Sequence, residues 1–167
     1  MTPCTGPKTR TITQAGVPHL EPLSQLLNAH RVTQGFAHNL PAVSHFLFER
    51  LINHEAVHFI ALNPGNAPDT PAQGLGFIQL YPAFSSESLM PYWTIGAFYV
   101  APEVRGQGIG NALIAQALQL VRERGDEGVR VALLPTQPEA SRLLEHAGFQ
   151  ANTDRTSYQF TVKSQQQ

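Results

Sequence analysis

Cysteine is nearly absent: the 167-residue chain has only Cys4, so no intrachain disulfide and no thiolate metal cluster can form. Charge is sparse as well. Charged residues make up 14% of the chain, and Lys+Arg numbers 11 against Asp+Glu 12, for a formal net charge of -1. This lacks the basic excess with which a sequence-independent nucleic-acid binder releases counterions, so no nucleic-acid partner is expected. No apolar run approaches the ~20 residues of a membrane span. The opening Met1-Thr2-Pro3-Cys4-Thr5-Gly6-Pro7 lacks the apolar region of a signal peptide. A cytoplasmic protein with no membrane partner is expected. No Gly-Lys pair occurs anywhere, which excludes a phosphate-binding loop of the GxxxxGK[ST] type.

What is present is a hydrophobic content of 42%, in a length that buries roughly 70% of its unfolded-state surface. One domain is expected over residues 8–163, with a disordered start at 1–7 and a frayed tail at 164–167. A β-branched run predicts a strand at 8–14. Pro18 opens a helix whose leucines, Leu20, Leu23, Leu26 and Leu27, keep helical spacing to about His30. A loop over 31–39 precedes a second helix from Pro41 to Ile52. Strands are predicted at 56–62 and 74–81, with a turn and loose loop from Asn63 to Pro71 between them, and at 92–100, after a loop over 82–91. The clearest helix runs from Gly110 to Arg124 and ends at Gly125. A strand at 129–134, a helix at 139–147 and a last strand at 155–162 complete the order. Hairpins imply antiparallel pairing, and the β-α-β unit after Val100 a parallel one. The fold class is therefore α/β in the α+β sense: a mixed, mostly antiparallel sheet flanked by helices.

The most informative segment is Arg105-Gly106-Gln107-Gly108-Ile109-Gly110, which joins an apolar strand to the strongest helix. Glycines let a ligand approach the backbone. The first helical N–H groups have no intrahelical acceptor, and the helix dipole adds about half a positive charge there. Arg105 adds a full one. A pyrophosphate suits such a site. A dinucleotide fingerprint fails, because GxGxxG would need glycine at Asn111 and an acidic residue closing the next strand.

In this context Arg105–Gly110 resembles the R/Q-x-x-G-x-G/A signature of the GNAT N-acetyltransferase superfamily. Ala140 to Phe149, a helix ending in Gly148-Phe149, is similar to that family's second motif. Gly76 to Ser86 resembles a subgroup related to histone, polyamine and amino-acid acetyltransferases. The resemblance implies acetyl-CoA as cosubstrate and a small-molecule amine as acceptor; no metal is expected, because the histidines are scattered and a zinc site needs convergent ligands. It implies that Arg105, Gly106, Gln107, Gly108, Ile109 and Gly110 cradle the pyrophosphate. Phe98, Tyr99 and Val100 would then offer backbone groups to the pantetheine amides, and Gln137 would take the place of a pantetheine-contacting Asn. Gly96 would mark the bulge of the fourth strand. A homodimer is compatible with the resemblance. Two other readings stay open: a catalytically degenerate acetyl-CoA-binding sensor, and acetylation of a protein N-terminus or lysine.

The chain departs from the family where the chemistry is done. The position of the usual acid, a Tyr, falls on Leu144, and an Asn-Asp pair of the fourth strand falls on Gly96 and Ala97. Replacement acids or bases are sought among Tyr81, Glu87, Tyr92, Tyr99, His146 and Tyr158. The segment from Ala29 to Leu40 is expected to wall the acceptor pocket, with His30, Arg31, Phe36 and His38 as contacts. There Arg31 could grip a carboxylate.

Overall fold

The computed structural model describes residues 10–63, 71–133 and 137–162. The expected disordered start, the turn at 64–70, the end of the strand at Leu134 and the frayed tail lie outside the described residues. At the centre is a five-stranded sheet in the order β1-β2-β3-β4-β5. β1 (Thr11–Gln14), β2 (Val57–Asn63), β3 (Gln73–Phe84) and β4 (Pro91–Val100) pair antiparallel in sequence. β5 (Val129–Arg130) joins β4 in parallel. The mixed, mostly antiparallel sheet is thus the one expected. No helix among the described residues is long and apolar enough to cross a membrane.

β2 is buried on both faces, which is why its residues form one apolar run. Phe59 and Ala61 join Ile78, Leu113 and Val121 under α3 (Ile109–Arg124) and α4 (Pro138–His146). Ile60 and Leu62 join Leu23, Leu47 and Phe77 under α1 (Leu20–Thr33) and α2 (Leu40–Ile52). Leu23, Leu47 and Leu113 have no exposed surface, and each such burial contributes about 1.5–3 kcal/mol.

Several elements differ from the expectation. α1 runs through Thr33, three residues beyond His30, and stops where Gly35 turns left-handed at φ 88° and the Phe36 N–H reaches back to the Arg31 carbonyl. β3 and β4 extend into the expected loop at 82–91, leaving a short connection in which the Ser85 N–H bonds the Met90 carbonyl at 2.9 Å. The strand expected at 129–134 pairs only at Val129 and Arg130. The strand expected at 155–162 does not form: Tyr158 and Phe160 are 92% and 91% exposed. Its apolar alternation meets no buried surface, and a strand that neither pairs nor buries a face has nothing to hold it.

The feature that shapes the site is a bulge in β4. Ala97 lies opposite Gln79 and Ile95 opposite Leu80, so Gly96 is the extra residue between them. A Cβ there would collide with the Tyr81 ring. Before the bulge, β4 is tied to β5. The Trp93 indole N–H donates to Asp126 Oδ2 at 2.7 Å, and the Trp93 backbone N–H bonds the Gly128 carbonyl at 2.9 Å. The indole, and then Arg124, hold the Asp126 carboxyl below its ordinary pKa. After Thr94, β5 no longer follows β4, and that edge of β4 is left without a neighbouring strand among the described residues.

Candidate active site

Two cavities meet where β4 has lost its neighbour. The larger, about 710 Å³, lies between Phe98–Val100, the turn at 104–111 and the start of α4. The smaller, about 410 Å³, lies between the corner of α1 and α2 and the β4 bulge. Both fall in the range of about 300–1,000 Å³ usual for small-molecule sites. His30 and Gln34 line both cavities.

The larger cavity is made mostly of main chain. Gly106 and Gly108 have φ of 73° and 82°, values that a Cβ makes costly. An added Cβ at either would meet nothing within 4 Å, so the space above their backbone is open to a ligand. Gly110 is small for another reason: a Cβ there would press on Leu143 Cδ2 and Phe98 Cζ, each at 3.2 Å. α3 begins at Ile109, one residue before the expected Gly110, with Gly108 as its cap. The first backbone bond of that turn is Ala112 N–H to the Gly108 carbonyl at 3.1 Å. The N–H groups of Ile109, Gly110 and Asn111 therefore have no intrahelical acceptor. Arg105 lines the cavity, and its Nε–H donates to the Val100 carbonyl at 2.9 Å, fastening the turn to the end of β4. One of the expected pantetheine-facing carbonyls is thereby already engaged.

Gln137 lines this cavity, as do Phe98, Tyr99, Val100, Gly106, Gly108, Ile109 and Gly110. Gln107 does not. Its side-chain oxygen accepts from Arg10 instead.

The smaller cavity is made of side chains. Asn39 fixes its outer wall by two bonds: its Oδ1 caps α2 by accepting the Ala42 N–H at 3.2 Å, and its own N–H donates to Asn28 Oδ1 at 3.0 Å. Asn28 is buried in α1, so the corner between the helices is pinned to the body of the protein. Arg31, Phe36 and Phe46 line the cavity from this corner. The Arg31 guanidinium lies 5.4 Å from the Phe36 ring centroid. Its Nη1 is buried and has no hydrogen-bond partner among the described residues. His38, expected as a contact, is exposed and lines neither cavity.

On the sheet side the wall is Gln79, whose Nε2 lies 2.8 Å from Nε2 of the fully buried His58. Burial lowers the His58 pKa to about 4, so the ring is neutral at neutral pH. In this orientation the Gln79 amide N–H donates to the imidazole nitrogen. His30, at the junction, packs edge-on against Phe77 and at 5.7 Å from the Tyr99 ring. Partial burial lowers its pKa too, which keeps the ring neutral at neutral pH.

Of the candidate acids and bases, only Tyr99 is brought to the cavities. Tyr81 lies over Gly96, its pKa raised mainly by burial. Tyr92 sits 3.8 Å beneath the Arg130 guanidinium, and Glu87 pairs with Arg155 at 2.8 Å. His146 and Tyr158 are exposed away from both cavities. Leu144 is buried in the core under α3, and its neighbour Leu143 lines the cavity. The sequence reading missed Gln34, Phe46, Gln79 and His58. The last two carried a signal: each is a lone polar residue inside an apolar strand, and the hairpin register sets them opposite one another.

Comparisons with known proteins agree with this geometry. The model of the acetyltransferase (GNAT) family matches residues 23–149. The chain is 29% identical over 151 residues to the uncharacterized N-acetyltransferase YhfO of Bacillus subtilis (strain 168), covering 90% of this chain and 97% of that protein. Among solved structures, it resembles a probable acetyltransferase with a TM-score of 0.82 and 32% identity, over 91% of this chain and 97% of the other. An aminoglycoside acetyltransferase from a soil metagenome, solved with trehalose, shares the fold at a TM-score of 0.77 and 21% identity, over 92% and 97% of the two chains.

Proposed function

The chain belongs to the acetyltransferase (GNAT) family, and we propose that it transfers the acetyl group of acetyl-CoA to the primary amine of a small molecule by direct attack, with residues 8–163 acting as one catalytic domain. The observation that carries this reading is the meeting of the two cavities at His30 and Gln34. A thioester reaching along β4 from the glycine turn would end where the smaller cavity begins.

The donor set fits acetyl-CoA. Open space over left-handed Gly106 and Gly108, the free N–H groups of Ile109–Asn111 and the Arg105 cation suit a pyrophosphate. The unpaired edge of β4 at Phe98–Tyr99, with Gln137 across the cavity, suits the pantetheine amides. No step in this reading needs a metal.

In the reaction a C–N bond forms and the C–S bond of the thioester breaks. The acceptor must first lose a proton, which costs about 4 kcal/mol for an amine of pKa ~10 at neutral pH. His30, neutral and placed between the cavities, relays that proton to solvent, and the second proton, which the nitrogen sheds once the C–N bond has formed, ends on the departed thiolate. A thiolate of pKa about 8.5 leaves without strong acid help. Leu144 lies in the core, so its lack of a proton says nothing against turnover. Positioning, and backbone N–H groups of β4 directed at the thioester carbonyl, supply the remaining acceleration.

Of the histone, polyamine and amino-acid subgroups that the chain resembles, the smaller cavity favours a small amine. An aminoglycoside, the acceptor class named for one solved relative, fits less well, because no acidic residue lines that cavity among the described residues.

The test is a thermal shift followed by turnover. Acetyl-CoA at 100 times its dissociation constant stabilises the protein by about 2.7 kcal/mol, with NAD and ATP inert. Thiol release with a panel of small amines then reports transfer. A folded protein whose melting temperature millimolar acetyl-CoA leaves unchanged overturns the reading.

A further inference from the structure

The following rests on the reading above that the smaller cavity receives the acceptor amine. We propose that this acceptor carries a carboxylate, as an amino acid does, and that Arg31 is the residue that recognises it.

The first ground is an unpaired charge. Arg31 Nη1 is buried with no hydrogen-bond partner among the described residues, on a side chain that lines the cavity. A guanidinium is never neutral in a protein, and burying its N–H without an acceptor is costly. A small turn of the guanidinium on the Phe36 face brings Nη1 out to a carboxylate in the cavity, which supplies the missing acceptor in the bidentate geometry for which guanidinium is shaped. The Phe36 face, 5.4 Å away, keeps the fork in place without using any of its donors.

The second ground is the charge of the surrounding wall. Among the described residues that line the cavity, Arg31 and His30 are the titratable ones and none is Asp or Glu. The acids of the neighbouring α2 are engaged elsewhere: Glu49 lies against His45 and Arg50, and Glu55, just beyond the helix, against Arg50. A polyamine would bring a second cation to a wall that already holds one, with no carboxylate to receive it. An amino acid instead has a charge for each end: its carboxylate meets Arg31, and its amine reaches the side of His30 and Gln79. Leu27, Val43 and Phe46 between them suit an uncharged side chain.

The experiment compares amino acids with their carboxamides and their decarboxylated amines on the CoA-bound or acetyl-CoA-bound protein. Turnover is followed by thiol release and affinity by calorimetry. The acids are expected to exceed the carboxamides by on the order of 100-fold in kcat/KM, the effect of leaving one partner of a buried charge pair unpaired. Arg31→Met is expected to bring the ratio of acid to carboxamide close to one, and Arg31→Lys to restore part of it. In both variants the thermal shift with acetyl-CoA persists. Equal use of acid and carboxamide by the unaltered protein overturns the proposal, as does CoA-bound protein that binds no amino acid of the panel at millimolar concentration. Loss of the acetyl-CoA shift in the unaltered protein would instead remove the reading on which it rests.

Discussion

The two cavities are built from different materials. The larger one presents main chain: an unpaired strand edge, two left-handed glycines and the start of a helix. The smaller one presents side chains from four elements, Arg31, Phe46, Gln79 and Ala97 among them. A main-chain site constrains sequence tightly, since only glycine tolerates its dihedral angles and its close approaches. A side-chain site can be assembled from many residue types, provided the tertiary packing brings them together. The first kind of site suits a ligand that stays the same, and the second one that changes.

The strongest way to break this contrast is Gly108→Val. Valine at φ 82° is strained by roughly 1–2 kcal/mol, and its side chain fills the space over the turn. Affinity for acetyl-CoA is expected to fall by more than on the order of 100-fold, read by calorimetry, with helical circular dichroism unchanged. Normal binding would move the pyrophosphate off this turn.

The smaller cavity is expected to be the more sensitive to acid, through the His58 that backs Gln79. The His58 pKa is about 4 in the folded protein against 6.5 for an unburied ring. Between those values the unfolded chain binds the proton and the folded one does not. Stability from this site is therefore complete above pH 6.5 and lost as pH falls towards 4, by about 3 kcal/mol. Urea unfolding across that range measures it, and His58→Gln should flatten the slope.

Gly96→Ala acts at the bulge between the cavities. The added methyl collides with the Tyr81 ring, and overpacking of this kind costs about 1–3 kcal/mol. A shifted urea midpoint that Tyr81→Ala partly restores would show the coupling; independent effects would place the strain elsewhere.

The smallest effect belongs to Arg105→Ala. The side chain is exposed and its Nε–H is already bound to the Val100 carbonyl. A loss of acetyl-CoA affinity worth under about 1 kcal/mol is expected, shrinking further at high salt. A loss as large as that of Gly108→Val would mean that the cation, and not the backbone, holds the ligand.

The same contrast decides how much was legible in the sequence. The glycine turn, the helix after it and the bulge at Gly96 could be read because each rests on residues adjacent in the chain. The central strands could be read because burial on both faces leaves an unbroken apolar run. The partnership of His58 with Gln79 could not, because it depends on the register of two strands, fixed only once β2 and β3 pair. The strand expected at 155–162 failed for the converse reason: Tyr158, Phe160 and Val162 alternate correctly, but all three are exposed and no packed surface holds them to the sheet. The place of the usual Tyr falls on Leu144 by its distance along the chain from Gly148-Phe149, and distance along the chain does not tell which side of α4 faces the cavity. The packing turns Leu143 that way instead.

The bond from the Asn39 N–H to Asn28 Oδ1 has a consequence for how such a protein diversifies. It clamps the stem of the α1–α2 corner, so the conformation of the corner does not depend on which side chains it displays inward. Under the proposed function, residues at 31, 36 and 46 form an exchangeable cassette, and swapping them is expected to change the acceptor while the turn at 105–110 stays as it is. Grafting the 29–46 segment of a homologue that retains both asparagines should carry its acceptor preference with it, and a graft lacking either asparagine should not.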